Sequence, residues 1–339
     1  MKPHWPMPVG LHTASARLPV EGELASFDGA TGWLNSPPLT AAGLRGKVVL
    51  VDFWTYTCIN WLRQLPYVRA WAEKYSAQGL VVIGVHTPEF PFEHDPGNVR
   101  WAVQDMRVSY PVAIDSNYAV WGAFDNYYWP ALYFADAQGQ IRHHHFGEGE
   151  YQRSEMVIQQ LLADAGSGRT GQGLVSPDAP GLEAAADWDS LRSAENYVGY
   201  ERTENFASPG GLVPGQPHTY QAPERLGLNH WALSGNWTVG EQATTLNLAG
   251  GQIAYRFHAR DLHLVMAPAA PGTPVRYRVL LDGQPPGPAH GTDTDDQGQG
   301  ILTRPRLHQL IRQPGPVTDR TLEVTFLDPG AQAYSFTFG

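Results

Sequence analysis

The spacing of apolar positions changes several times along the chain, and each change marks an element. Lys47-Val-Val-Leu-Val-Asp-Phe-Trp54 is a nearly continuous apolar run, the pattern of a strand buried on both faces. Past Cys58 the spacing becomes helical, with Leu62, Leu65, Val68, Trp71, Ala72 and Tyr75 on one side. Pro66 lies inside this helix and is expected to kink it. Leu80-Val-Val-Ile-Gly-Val85 is a second buried strand, so strand, helix and strand form a βαβ unit with a parallel pair. Asn98 to Met106 has helical spacing, and Tyr110 to Asp115 is a short strand. Ala131 to Ala135 is another, stopped by the turn Asp136-Ala-Gln-Gly139 and followed by a hairpin partner from Ile141 to Phe146. A helix from about Ser154 to Ala165 closes the domain.

Four segments follow. Residues 1–45, punctuated by Pro and Gly, form a lead-in expected to pack on a domain spanning 46–165. Residues 166–195 are rich in Gly, Ser, Ala and Pro without an apolar period, and read as a linker. Residues 196–339 carry short alternating runs at Ala254–His258, Leu262–Met266, Arg276–Leu281, Thr321–Phe326 and Tyr334–Phe338. Turn clusters such as Asp282-Gly283 separate them, which predicts an all-β sandwich.

Composition narrows the function. With 42% hydrophobic and 17% charged residues the chain is globular, and Gly 36 with Pro 28 suits a turn-rich β portion. A net charge of −10 without a polybasic stretch argues against a nucleic-acid surface. No apolar run reaches the roughly 18–20 residues of a membrane span. The start, Met1-Lys2-Pro3-His4-Trp5-Pro6, has no apolar signal core. A cytoplasmic location is therefore expected, or an extracytoplasmic one if a signal has been removed. The single cysteine excludes an internal disulfide and a multi-cysteine zinc site, and no cofactor is expected.

A lone cysteine is ordinarily a small buried hydrophobe, but Cys58 stands where a buried strand ends and a helix begins. A helix N-terminus offers unpaired N–H groups and the positive end of a dipole, which stabilise a thiolate and lower a cysteine pKa.

The surrounding run, Gly46-Lys-Val-Val-Leu-Val-Asp-Phe-Trp-Thr-Tyr-Thr-Cys-Ile-Asn60, resembles the TlpA-like thioredoxin family and, within it, the DipZ-like proteins. His86-Thr-Pro-Glu-Phe90, Pro96-Gly-Asn98, Tyr128-Trp-Pro130-Ala131 and Phe146-Gly-Glu-Gly149 carry the same resemblance. It covers about residues 20–165. The end Tyr334-Ser-Phe-Thr-Phe-Gly339 is similar to the β-sandwich that follows in DipZ-like proteins. The resemblance implies an α/β thioredoxin fold, a central mixed sheet flanked by helices, followed by an all-β, jelly-roll-like sandwich. It makes Cys58 the catalytic thiol, Pro66 the helix proline eight positions later, and Pro130 a cis-proline facing the thiol. The backbone beside such a proline pairs with an extended substrate segment. Glu89 is then an acid near the thiol able to act in proton transfer; the plainer reading is a solvated loop glutamate. Trp54, Tyr56, Asn60, Trp61 and Trp129 would line the substrate groove, and partners would be protein or small-molecule thiols and disulfides.

One departure matters: the family motif is Cys-Ile-Asn-Cys, whereas this chain has Cys58-Ile59-Asn60-Trp61. In a dithiol enzyme the second cysteine resolves the mixed disulfide, and Trp61 cannot. Three readings stay open. Cys58 works as a monothiol resolved by an external thiol. It reduces peroxide through a sulfenic acid, although the proline expected four residues before Thr55 is Val51. Or redox turnover is lost and the domain binds a partner.

Other constellations are weaker. His143-His144-His145 puts only His143 and His145 on one strand face, too few for a metal. Asp293-Thr-Asp-Asp-Gln-Gly298 has part of a calcium-loop pattern, but Arg304 stands where the closing Glu is needed. Asn236-Trp-Thr238 is a glycosylation triplet of the kind common by chance. Trp231 and Trp237 could stack on a carbohydrate if they are not core residues.

Overall fold

The computed structural model describes residues 17–167 and 172–339. Among the described residues, seven strands build one mixed sheet. They are β1 (Gly22–Glu23), β2 (Gly32–Leu34), β3 (Val48–Trp54), β4 (Leu80–His86), β5 (Val112–Ile114), β6 (Ala131–Ala135) and β7 (Gln140–Phe146), in the order β1-β7-β6-β3-β4-β5-β2. The β3–β4 and β4–β5 pairs are parallel and the rest antiparallel. Every residue of β3 is buried, because helices cover both sheet faces. Val48, Leu50 and Trp54 join a core with α1 (Ile59–Tyr75) and α4 (Tyr151–Asp164). Val49, Val51 and Phe53 point the other way, into a core with Val120 of the short α3 (Ala119–Ala123). The remaining helix, α2 (Pro96–Asp105), starts at Asp95, whose carboxylate accepts from Gly97 N at 2.7 Å. α1 continues through the buried Pro66.

The described part of the lead-in supplies β1 and β2, which hydrogen-bond to the two edges of the sheet; residues 1–16 lie outside the described residues. The segment after α4 is irregular, as its composition predicts, but it is not an open linker. Val175 N donates to Glu155 at 2.8 Å, Arg69 pairs with Glu183 at 2.6 Å, and Val175 and Leu182 pack on the α1 core. Residues 168–171 are outside the described residues.

Beyond it, eleven antiparallel strands form the second domain. They are β8 (Asn196–Tyr197), β9 (Pro217–Tyr220), β10 (Trp231–Val239), β11 (Thr244–Leu246), β12 (Gln252–Phe257) and β13 (Asp261–Pro268), then β14 (Val275–Leu281), β15 (Gln299–Leu302), β16 (Arg306–Arg312), β17 (Arg320–Phe326) and β18 (Ala331–Phe338). β10 belongs to both halves. Trp231 to Ser234 pair with β12, while Gly235 to Thr238 pair with β9. The sheet thereby folds over one core containing Leu233, Ile253, Leu264, Val324 and Phe336, a sandwich made by a strand that changes sheets. Gly235 is the corner: its φ is +92°, and a Cβ there would come within 2.8 Å of Gly251 Cα. Gly235→Ala is expected to cost about 1–3 kcal/mol in thermal or denaturant unfolding. A cost below a few tenths would mean that the corner does not need glycine.

The two domains share packing. Val265, Ala267, Leu307 and Tyr334 sit in the same apolar cluster as α1, and Arg63 of α1 reaches Phe338 O and Glu148 Oε1, each at 3.0 Å.

Candidate functional site

The thiol is placed by a short loop. β3 ends at Trp54, Cys58 N donates to Thr55 O at 3.2 Å, and Cys58 takes the N-cap position of α1 in extended conformation (φ −75°, ψ 112°). Its carbonyl accepts the first helical bond, from Leu62 N at 3.0 Å. Its Sγ lies 3.9 Å from Trp129 O, and the Trp129–Pro130 peptide is cis. The structure therefore brings Cys58 and the Pro130 turn together at the ends of β3 and β6. Trp129 is half-buried, with its indole N–H on Thr87 O at 3.1 Å. Asn60 is also half-buried.

Three expected groove residues are not groove residues. Trp54, Tyr56 and Trp61 are fully buried. The first turn of α1 lies flat on the sheet, so position 61 faces inward. Its indole stacks on Trp54 at 4.2 Å and donates to Asp52 Oδ2 at 2.9 Å. Asp52 Oδ1 accepts from Gln64 at 3.0 Å. Burial pushes the Asp52 carboxyl up to about 7, against the lowering effect of those two donors. Tyr56 lies beside His86, whose desolvation brings it down to about 3, so this imidazole is neutral.

A buried acid that sequence reasoning passed over ties the thiol loop to its neighbour. Glu93 Oε1 accepts from Thr57 Oγ1 at 2.7 Å and Thr57 N at 3.3 Å. Its Oε2 accepts from Glu89 N at 2.8 Å and Phe90 N at 2.9 Å. The available signal was Pro91 followed by Glu93, the spacing of a helix start whose acid folds back on the cap.

Glu89 is neither free nor solvated. Its Oε1 accepts from Tyr197 Oη at 2.6 Å and Arg202 Nη1 at 3.0 Å, both from the second domain. The thiol's environment also departs from expectation. The N–H groups of Trp61 and Asn60 lower its pKa, as a helix start should. Desolvation of the packed sulfur dominates them, aided by the charges of Glu195 and Glu89, and drives the thiol well above its ordinary value. Nothing in the local motif announces Glu195, Tyr197 or Arg202, which lie more than a hundred residues downstream.

Trp231 and Trp237 are core residues, both fully buried. Their indole N–H groups are spent on Glu204 O at 3.0 Å and Ser234 O at 2.8 Å, so neither face can meet a sugar. His144 pairs with Glu21 at 2.6 Å. Asp293 is paired with Arg306 at 2.6 Å and accepts from Gln309 N at 2.7 Å. Among the described residues no helix is long and apolar enough to cross a membrane.

Known proteins place these features. Residues 27–144 match the AhpC/TSA family, and residues 193–339 match the thioredoxin-like C-terminal domain. The protein DipZ of Mycobacterium tuberculosis is 38% identical over 328 residues, 96% of this chain and 44% of DipZ. The chain thus spans less than half the length of these curated relatives. The thiol-disulfide oxidoreductase YkuV of Bacillus subtilis is 31% identical over 141 residues, 42% of this chain and 95% of YkuV. A thioredoxin-like protein solved in its oxidized form is 30% identical, with 42% of this chain and 96% of that one covered and a TM-score of 0.39. With a thiol at a helix start and a relative matched over almost its whole length, the chain belongs to the thioredoxin-fold thiol-disulfide oxidoreductases, carrying a thioredoxin-like C-terminal domain behind the redox domain.

Proposed function

We propose that this chain carries out thiol–disulfide exchange through Cys58 alone. The observation that carries the reading is position 61: the place of a resolving thiol is filled by a buried indole bonded to Asp52, and the chain has no other cysteine. In the first step the Cys58 thiolate attacks one sulfur of a disulfide R–S–S–R′. The Cys58–S–S–R bond forms, and R′S⁻ leaves and takes up a proton. A second thiolate, from an external protein or small-molecule thiol R″SH, attacks the R sulfur and returns Cys58 as a thiolate. The sum is R–S–S–R′ plus R″SH giving R–S–S–R″ plus R′SH, with no net oxidant. A substrate would approach the thiol past half-buried Trp129, whose carbonyl lies 3.9 Å from Sγ, and half-buried Asn60.

Exchange between hydroxyethyl disulfide and glutathione tests it. The parent is expected to accelerate the reaction and Cys58→Ser to return it to the protein-free rate. Equal rates for the two would overturn the proposal. Because the thiol is held above its ordinary value, the rate is expected to climb steeply from pH 7 to 9, approaching tenfold per unit, as the thiolate fraction grows. A plateau already present at pH 7 would contradict that environment.

The rival reading is a redox-silent binding protein using the same face, and the raised thiol favours it. A parent rate equal to background at both pH 7 and pH 9 would decide for it. The peroxidase reading has less behind it, because Val51 sits inside β3, paired with Ile83 and Tyr133, where that class needs its proline.

A further inference from the structure

Resting on the reading of Cys58 as the working thiol, we propose that Tyr197 and Arg202 of the second domain are positioning residues of the redox site: they hold the Glu89 carboxylate in place on the loop that Glu93 fastens to Thr57, next to Cys58.

The geometry makes a continuous chain of contacts. Glu93 joins Thr57 with one oxygen and Glu89–Phe90 with the other. Tyr197 and Arg202 grip the side chain of Glu89, and the Arg202 guanidinium stacks 3.4 Å above the Tyr197 ring. Tyr334 packs on Phe90 and Phe92 of the same loop, with ring centroids 5.1 and 4.9 Å apart. The grip has a firm mount. Tyr197 pairs with Ser335 of β18, and Val198 N donates to Tyr334 O at 2.9 Å. A Cβ at Gly199 would lie 2.4 Å from the backbone of Glu241 and Gln242, so the segment after β8 is pressed against the β10–β11 turn.

The function of such a mount is electrostatic. The groups facing Glu89 are Glu93, Tyr118, Glu195, Tyr197 and Arg202, and those acting on Cys58 from outside its helix are Glu195 and Glu89. Arg202 is the cation among them and is about half exposed, at 51% of its side chain, while Glu89 is 12% exposed. Removing the cation leaves Glu89 uncompensated beside the thiol and disfavours the thiolate. Neutralising Glu195 does the opposite. The second domain thereby sets the reactivity of a cysteine that belongs to the first.

The test is the rate of iodoacetamide alkylation of Cys58 in the full chain, followed from pH 7 to 9. Below the thiol pKa, log rate rises linearly with pH, so a change of pKa displaces the whole line. Arg202→Ala is expected to slow alkylation about threefold or more at every pH, roughly half a unit of displacement. Arg202→Lys should restore most of the rate, and Glu195→Gln should speed it by a similar factor at pH 9 and by less at pH 7, where burial and the Glu89 charge hold the Glu195 carboxyl up at about 7. High salt should shrink both differences. Should Arg202→Ala fold poorly, Arg202→Gln serves in its place. Superimposed lines for parent and Arg202→Ala, or a loss that Arg202→Lys does not repair, would overturn the proposal. Alkylation needs a thiol but no turnover, so the clamp can fail while disulfide exchange survives, and the reverse.

Discussion

Trp61→Ala is expected to lower the unfolding free energy by about 3–5 kcal/mol, the range for truncating a fully buried Trp. The residue has no exposed surface, stacks on Trp54, and donates the shorter of the two hydrogen bonds to Asp52. Alanine leaves a void where the indole lay and a carboxyl that keeps only Gln64 of those two donors. Trp61→Phe should recover most of the packing and lose about 1–2 kcal/mol for the missing donor. Urea titration followed by circular dichroism separates the three proteins. A loss below about 1 kcal/mol for the alanine variant would mean that position 61 is not the core residue described above. Trp61→Cys is expected to carry most of the alanine cost. Its insulin-reduction activity therefore reads chemistry only at temperatures below its lowered unfolding transition. Appearance of activity absent from the parent would mark the parent as a dithiol enzyme with its second thiol replaced.

That prediction depends on a fact invisible in the sequence, the direction in which residue 61 points. The elements themselves are well marked. The apolar run of β3, broken only by Asp52, the helical spacing of α1 and the turn at Asp136 to Gly139 each state a local preference that the tertiary structure agrees with. The proximity of Cys58 and the Pro130 turn follows from that order of strands. Trp54, Tyr56 and Trp61 mislead because an aromatic residue near a cysteine reads as a binding platform, while the pleat of β3, the loop after it and the docking of α1 turn Trp54, Tyr56 and Trp61 inward in turn. β10 escapes notice because Ser234, Gly235 and Asn236 interrupt its apolar alternation at the corner where it changes sheets. β16 escapes because it is buried on both faces and the polar His308 and Gln309 stand in the middle of it, which leaves no apolar alternation to find. The linker misleads differently. Its composition reports the absence of regular structure correctly, but Arg69 of α1, far upstream, and Glu155 of α4 hold it against those two helices. Contacts of that range, like Tyr197 and Arg202 on Glu89, leave no local trace.

Asp52→Asn is expected to stabilise the protein at pH 8 and to leave it little changed, or slightly weaker, at pH 4. Burial holds the Asp52 carboxyl at about 7 in the folded chain, against an ordinary value of 3.8. The folded state thus binds this proton more tightly than the unfolded chain does. Its stabilising contribution is complete below pH 3.8 and is lost as pH rises through 7. The slope in that window is up to about 1.4 kcal/mol per pH unit, and three units amount to roughly 4 kcal/mol. Asparagine does not titrate and keeps an acceptor for Trp61 or Gln64, so this loss is absent from the variant, while acids such as Glu93 and Glu195, also raised by burial, titrate in both proteins. Buried histidines work from the opposite side. His86, His263 and His308 are each pushed down to about 3, so their contribution is present above 6.5 and lost as pH falls toward 3. The parent is therefore squeezed from both directions. The difference between parent and Asp52→Asn removes the histidines, which the two proteins share, and isolates the carboxyl. Unfolding free energies from urea titrations at pH 4, 6 and 8 measure that difference. It should shift in favour of asparagine with each step; a difference independent of pH would show that Asp52 ionises in the folded protein as an ordinary carboxylate does.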